Sequence, residues 1–390
     1  MISSTAQTRR AFLKWLGRMG AGASLVPVLE KALETFGLVM ADGLVLAAAD
    51  RPGPAPARYY RKFESGDLVQ CELCPRREVL APGQTGFCRD RRNINGELIT
   101  HAYGQPCVVN LDPIGKNPLA HFYPEMTVLA LAHAGCNLRC LYCQNWQFSQ
   151  ESPTRTRNIV PFDFRDAGRK MKVKQVTGIS FTYTEAVTAP EFTLDFARFC
   201  GELGFKRTLC TAGYIEPRPF KDLLQVFEAV TFTFKGPSDD FYRRVTAGTL
   251  KPVLEAMSLA KAEGKWVEVA TLVVPTLNDD QASLSFIARW IKDHLGPDTP
   301  WHLERFDPQF KLAALPPTPQ VTLEQARRIG LENGLRFVYL SNLAPHQANH
   351  TYCPACGRVL IKRLGFKLLE NNLRDGACPQ CRTRIPGVWG

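Results

Sequence analysis

Thr127-Val-Leu-Ala-Leu-Ala-His133 runs straight into Ala134-Gly135-Cys136-Asn-Leu-Arg-Cys140-Leu-Tyr-Cys143-Gln-Asn-Trp146, and this junction sets the character of the whole chain. The first part is apolar, short and without helical periodicity, the pattern of a buried strand. Three cysteines follow in a loop just beyond the strand's carboxyl end, where an α/β barrel places its chemistry. Spacing C-x3-C-x2-C is expected by chance in roughly 0.01 chains of this length and cysteine content. Thiolates set this close converge on metal more readily than on one another.

Working outward, strand-like segments alternate with amphipathic ones. The strands are Gly178 to Tyr183, Arg207 to Thr211, Ala229 to Lys235, Trp266 to Val274 and Trp301 to Phe306, with helical stretches such as Pro190–Leu203 and Pro252–Glu263 between them. This alternation predicts an α/β fold with a parallel sheet curled into a partial or full (β/α) barrel. At 390 residues the chain suits one large core with small satellites, and 45% apolar against 22% charged residues excludes a disordered protein. The net charge of +11 is scattered along the chain. It fits either an acidic partner or ligand or a merely basic protein, and no nucleic-acid-binding signature accompanies it.

Ten of the thirteen cysteines form three groups: Cys71, Cys74, Cys88; Cys136, Cys140, Cys143; and Cys353, Cys356, Cys378, Cys381. A secreted disulfide framework is not spaced this way. The tail reads Cys353-Pro-Ala-Cys356-Gly and Cys378-Pro-Gln-Cys381, two C-x2-C knuckles flanking the apolar, strand-like Leu360–Leu373. Four thiolates so arranged complete a closed tetrahedral site for structural zinc or rubredoxin-like iron, with disulfides after export as the alternative.

The amino terminus carries Thr8-Arg9-Arg10-Ala11-Phe12-Leu13-Lys14, a modest apolar run from Met19 to Leu29, and Ala47-Ala48-Ala49. The run is far below the ~20 residues of a membrane-spanning helix, so no integral membrane segment is expected. The arginine pair and its flanks resemble a twin-arginine signal, which implies export to the periplasm or cell envelope; a basic amphipathic helix on a cytoplasmic protein is the alternative.

The C-x3-C-x2-C motif, with Tyr142 before its last cysteine, resembles that of the radical S-adenosylmethionine (SAM) superfamily. Three thiolates are one fewer than a fully thiolate-ligated cubane needs. In that family the [4Fe–4S] iron left open binds the amino and carboxylate groups of SAM, and an electron delivered to the sulfonium releases a 5′-deoxyadenosyl radical. A zinc knuckle completed by His133 is the bland alternative. Nearly the whole chain after residue 58 resembles the branch related to pyruvate formate-lyase activating enzymes, often called AmmeMemoRadiSam. The landmarks are Ala57-Arg-Tyr-Tyr-Arg61, Cys71-Glu-Leu-Cys74-Pro-Arg-Arg, Pro82-Gly-Gln-Thr-Gly86-Phe-Cys88, Leu111-Asp-Pro-Ile114, Thr182-Tyr-Thr-Glu185, Val267-Glu-Val-Ala-Thr271-Leu-Val-Val-Pro275 and Ile385-Pro-Gly-Val-Trp-Gly390.

The resemblance implies that Glu185 meets the SAM amino group through charge-assisted hydrogen bonds and that Lys235 lies in the same pocket. It also exposes departures. Ala212-Gly213-Tyr214 replaces an Asn-Gly-Tyr, and Thr233-Phe234-Lys235 replaces an Asp-Leu-Lys. Relatives have a fourth cysteine where this chain has Glu78; Cys71, Cys74 and Cys88 thus form an incomplete metal site, with Glu78 or Cys107 as substitute ligands or no metal at all. His302, His346 and His350 are expected in structural or pocket roles.

The expected organisation is therefore a twin-arginine-type signal at 1–49, a linker at 50–58, a Cys-containing region at 59–120, a radical SAM barrel at 121–345 and a zinc-ribbon-like metal domain at 346–390. The expected function is reductive SAM cleavage for hydrogen abstraction from a substrate, a protein among the candidates, with a flavodoxin- or ferredoxin-type electron donor. The alternative is an exported iron–sulfur electron carrier or scaffold that no longer cleaves SAM. No catalytic residue beyond the cofactor ligands is identifiable from the sequence.

Overall fold

A computed structural model describes residues 54–390, apart from 65, 158 and 161. The twin-arginine-type segment 1–49, and the linker up to residue 53, lie outside the described residues.

The core is an eight-stranded sheet: β1 (Pro106–Pro113), β2 (Thr127–His133), β3 (Gly178–Phe181), β4 (Lys206–Thr211), β5 (Ala229–Thr233), β6 (Trp266–Val273), β7 (Trp301–Arg305) and β8 (Val338–Ser341). The strands lie side by side in chain order. β2 through β8 are parallel, and β1 joins β2 antiparallel along one edge. β1 and β8 do not pair with each other, so the barrel is partial and open at the side.

Each parallel crossover carries a helix: α1 (Phe164–Val173), α2 (Pro190–Glu202), α3 (Pro217–Leu224), α4 (Lys251–Ala262), α5 (Gln281–Leu295) and α6 (Gln320–Glu332). Their starts are written in the sequence. Asp163 and Asp280 cap α1 and α5, each side chain accepting the N–H three residues on, and prolines open α2 and α3. Gly296, at φ +102°, stops α5. Successive helices touch one another. Right-handed crossovers in constant order put them all on one face of the sheet, leaving the other as the barrel interior. No helix among the described residues is long and apolar enough to cross a membrane.

Among the described residues, two small antiparallel sheets precede the barrel. Ala55 and Pro56, read as linker, enter the fold as a short strand against Thr100 and Ile99. This region is fastened to α2 by a buried ion pair, Arg91–Glu191, at 2.9 Å.

After β8 comes a three-stranded sheet of Thr351–Tyr352, Val359–Leu364 and Lys367–Asn371. The run Leu360–Leu373 is thus a hairpin rather than one strand. Leu364 pairs with Lys367, and Gly365, at φ +58°, supplies the left-handed turn residue. The hairpin domain buries Leu360, Ile361 and Ile385 against Ala120, Phe337 and Tyr339 of the barrel. Arg363 is nearly buried and donates to Ala120 O (2.8 Å), Asn349 O (3.0 Å) and Thr351 Oγ1 (2.9 Å). Val388 bridges Phe122. The domain is therefore anchored both to β8 and to the β1–β2 connection, the two sides of the barrel's lateral opening.

Candidate functional site

The cysteine loop is gripped from two directions. On one side, Cys136 N–H donates to Cys88 O (3.2 Å), Arg76 Nε to Asn137 O (2.9 Å) and Arg139 to Phe87 O. On the other, Arg139 N–H and Leu141 N–H donate to Thr246 O (2.7 Å) and Val245 O (2.9 Å). Gly135, at φ +95°, lets the chain pass so close to Cys88 O that an added Cβ would stand 2.5 Å from it. Only glycine meets both demands.

The loop forms one wall of a cavity of about 340 Å³ at the carboxyl edge of the parallel strands. Cys136, Cys140 and Cys143 line it beyond β2, Glu185 beyond β3, and Thr233 and Lys235 at the end of β5. Leu138 N–H donates to Cys136 Sγ (3.4 Å), and Cys143 Sγ is 3.1 Å from Ser149 Oγ. Burial raises the Cys136 thiol well above its ordinary pKa and takes Cys140 up to about 11, so thiolate formation there is coupled to metal binding. Three thiols on one wall, with polar donors behind them, suit a cluster in which each cysteine holds a different iron.

Glu185 is buried. Its Oε1 accepts from Thr211 Oγ1 (2.5 Å) and its Oε2 from Ala212 N–H (2.8 Å). Burial raises its pKa, while those two bonds and Lys235 oppose the rise. The asparagine missing at Ala212 therefore takes no main-chain donor away from Glu185. Burial works against the charge of Lys235, but its pKa is raised overall by attraction to Cys140, Tyr142 and Tyr242, of which Cys140 becomes an anion when it ligates metal. Its Nζ stands 6.0 Å from the centre of the Tyr142 ring, which is buried under the loop.

Two cavity residues bearing a carboxyl or thiol group escaped the sequence reading. Cys210 on β4 and Glu304 on β7 both line it. Burial, reinforced by Glu304 and Glu185, pushes the Cys210 thiol up to about 12; burial likewise raises Glu304. Glu304 lies within Trp301–Phe306, already read as a strand, so a polar residue near its carboxyl end was the available signal. Cys210 had none beyond its place in a strand.

In the Cys71 group it is the two substitute ligands that are engaged elsewhere. All three thiols are buried, and burial first, then Cys71 for Cys74 and Asp90 for Cys88, lifts those two to about 12. Both carboxylate oxygens of Glu78 accept Phe87 N–H at 3.0 Å, closing the loop that leads to Cys88. Cys107 is not beside them: it lies on β1, packs with Ala132 and Ala134, and donates to Ala132 O (3.5 Å). The tail is different. Among the described residues, Cys353, Cys356, Cys378 and Cys381 are the four whose ligand atoms all lie within 4.8 Å of one another, as a single tetrahedral ion requires. His302 donates to Glu268 (2.7 Å), His346 faces Glu324 (3.1 Å) and His350 accepts from Arg363 N–H (3.2 Å), all away from that centre.

Comparison with known proteins agrees with this geometry. The family model of the radical SAM superfamily matches residues 132–286. An uncharacterized protein of Methanocaldococcus jannaschii is 42% identical over 333 residues, 84% of this chain and 98% of that protein. A pyruvate formate-lyase-activating enzyme of Clostridium pasteurianum is 26% identical over 169 residues, 41% of this chain and 67% of the enzyme. Among solved structures, a radical SAM methyltransferase from Sphaerobacter thermophilus aligns over 81% of this chain and 82% of its own, at 15% identity and a TM-score of 0.45.

Proposed function

Because the chain belongs to the radical SAM superfamily, we propose that it abstracts hydrogen from a substrate, here taken to be a protein, after reductive cleavage of SAM. The observation that carries this is the convergence of Cys136, Cys140, Cys143, Glu185 and Lys235, from three separate strand ends, on one cavity. A [4Fe–4S] cluster held by the three cysteines would supply the electron and the open iron on which SAM chemistry depends. The chain's own residues do the rest. Glu185, fixed by Thr211 and Ala212, presents a buried anion to the SAM ammonium; Lys235 presents the complementary cation to an anionic group. Relatives bearing the activating-enzyme name support a protein substrate, and a flavodoxin- or ferredoxin-type carrier is the proposed donor.

A second reading, an electron carrier that leaves SAM intact, is favoured by the cavity-lining Ala212 and Thr233 in place of an amide and an acid. One experiment separates the two. The protein is reconstituted anaerobically with iron and sulfide, reduced with dithionite and given SAM. 5′-Deoxyadenosine is expected. A sound cluster whose electron paramagnetic resonance spectrum SAM fails to perturb, with no nucleoside formed, would refute the enzyme reading.

A further inference from the structure

The carboxyl-terminal metal ribbon contributes to the reaction cavity itself. Phe366, at the tip of its hairpin, lines the same cavity as the cysteine loop, Glu185 and Lys235. The tip is seated on main chain: at Gly115 an added Cβ would stand 3.5 Å from Phe366 O and 3.9 Å from its Cα. Gly115 sits in the short turn Ile114–Lys116 that follows β1, and Lys116 and Pro118 border the cavity from that side. Asn342, just past β8, borders it from the other. The hairpin thus fills the lateral gap between β1 and β8 at the height of the reacting centre.

Its position depends on the far end of the ribbon. Cys353 N–H donates to Arg358 O (2.8 Å) and so sets where the strand Val359–Leu364 begins. Cys353 and Cys378 are buried in the cluster that docks Leu360 and Ile361 onto the barrel. Four thiolates on one ion hold the two knuckles together; without it their approach rests on the shared apolar cluster and on main-chain bonds such as Asn372 N–H to Leu360 O (2.8 Å).

We propose that Phe366 is a specificity-determining wall of the active cavity, and that the ion bound by Cys353, Cys356, Cys378 and Cys381 positions it. An aromatic ring here limits the width of the substrate group that reaches the radical and keeps water from the open side. The assignment rests on the cavity being where SAM is cleaved.

The test measures access to Cys210, a cavity thiol that is not a cluster ligand. The reconstituted holoprotein is treated with N-ethylmaleimide, and labelling of Cys210 is followed by peptide mass mapping. Phe366→Ala should raise that rate several-fold with unchanged thermal stability. Cys381→Ser should give a similar rise in the parent but little further rise in the Phe366→Ala background. An unchanged rate in a stable Phe366→Ala protein, or full additivity of the two substitutions, would overturn the proposal. Labelling is independent of turnover, so a protein that shows these effects yet forms no 5′-deoxyadenosine would refute the enzymatic reading, and the specificity role with it, while Phe366 would stand as a metal-positioned wall of the cavity.

Discussion

Replacing Glu268 by glutamine probes the polar centre of the barrel interior. Glu268 lies on β6 with no exposed surface, and its carboxylate accepts four hydrogen bonds. Oε2 takes Ala120 N–H (2.8 Å) and His302 Nε2–H (2.7 Å); Oε1 takes His121 N–H (2.8 Å) and Trp266 Nε1–H (2.9 Å). Burial opposes the charge, yet the His302 bond and the neighbouring imidazoles hold its pKa below the usual carboxylate value. Glutamine preserves the shape but converts one acceptor into an amino group. Facing His121 and Trp266, that group would strand two donors. Facing Ala120 and His302 it strands only one, because the imidazole can change tautomer and accept. The least costly arrangement leaves Ala120 N–H and one hydrogen of the new amide without partners and weakens three charge-assisted bonds, a loss of about 3–5 kcal/mol. Urea unfolding of the holoprotein should show this as a lower midpoint with an unchanged slope. A loss below about 1 kcal/mol would mean that the four donors are not satisfied by this carboxylate, and the reasoning would fail.

Four further outcomes are expected. Gly135→Ala places a Cβ against Cys88 O in a left-handed conformation, so reconstituted protein should carry less than half the cluster iron of the parent at unchanged helical circular dichroism; full iron content would contradict the two-sided grip on the loop. His121 donates Nδ1–H to Pro386 O and accepts from Tyr339 OH through Nε2, both at 2.6 Å, and burial takes its pKa down to about 4. The unfolded chain binds this proton near pH 6.5 and the native one only near 4, so this contribution is intact above 6.5 and declines as pH falls through that window, by up to about 1.4 kcal/mol per unit; urea midpoints should fall less steeply with acid in His121→Gln, and equal slopes would refute the neutral assignment. Cys378→Ser should remove one zinc or non-cluster iron per chain by elemental analysis while the cluster absorbance persists. Changing Arg9 and Arg10 to lysine should leave the protein in the cytoplasmic fraction, and unaltered fractionation would exclude twin-arginine export.

What was legible in the sequence followed from local pattern. β2 to β7 are short segments built mainly of apolar and β-branched residues, though β4 and β6 carry charged ones, and each appears within a residue or two of where the sequence reading puts it. β1 was not legible: it begins with proline and carries Asn110 and Asp112, because as an edge strand it needs neither a continuous apolar face nor every main-chain donor. The open form of the barrel was likewise hidden, since strand count alone does not say whether the first and last strands meet. At the site, Cys136, Cys140 and Cys143 are marked by their spacing, and Glu185 by the motif around it. Glu304 and Cys210 belong to strands far apart in the chain, and only the sheet order brings them to one cavity. Phe366 was further from reach, because its role depends on where an entire small domain docks.

That docking carries a temporal implication. Domains form as units while the chain is synthesised, the amino-terminal ones first. The residues that grip the cysteine loop through Phe87 and Cys88 precede it in the chain and are synthesised before the loop they hold. The hairpin bearing Phe366 is made long afterwards, from the last part of this sequence. Until it docks, nothing from the ribbon stands across the gap between β1 and β8, and the cavity lacks the wall that Phe366 contributes on that side.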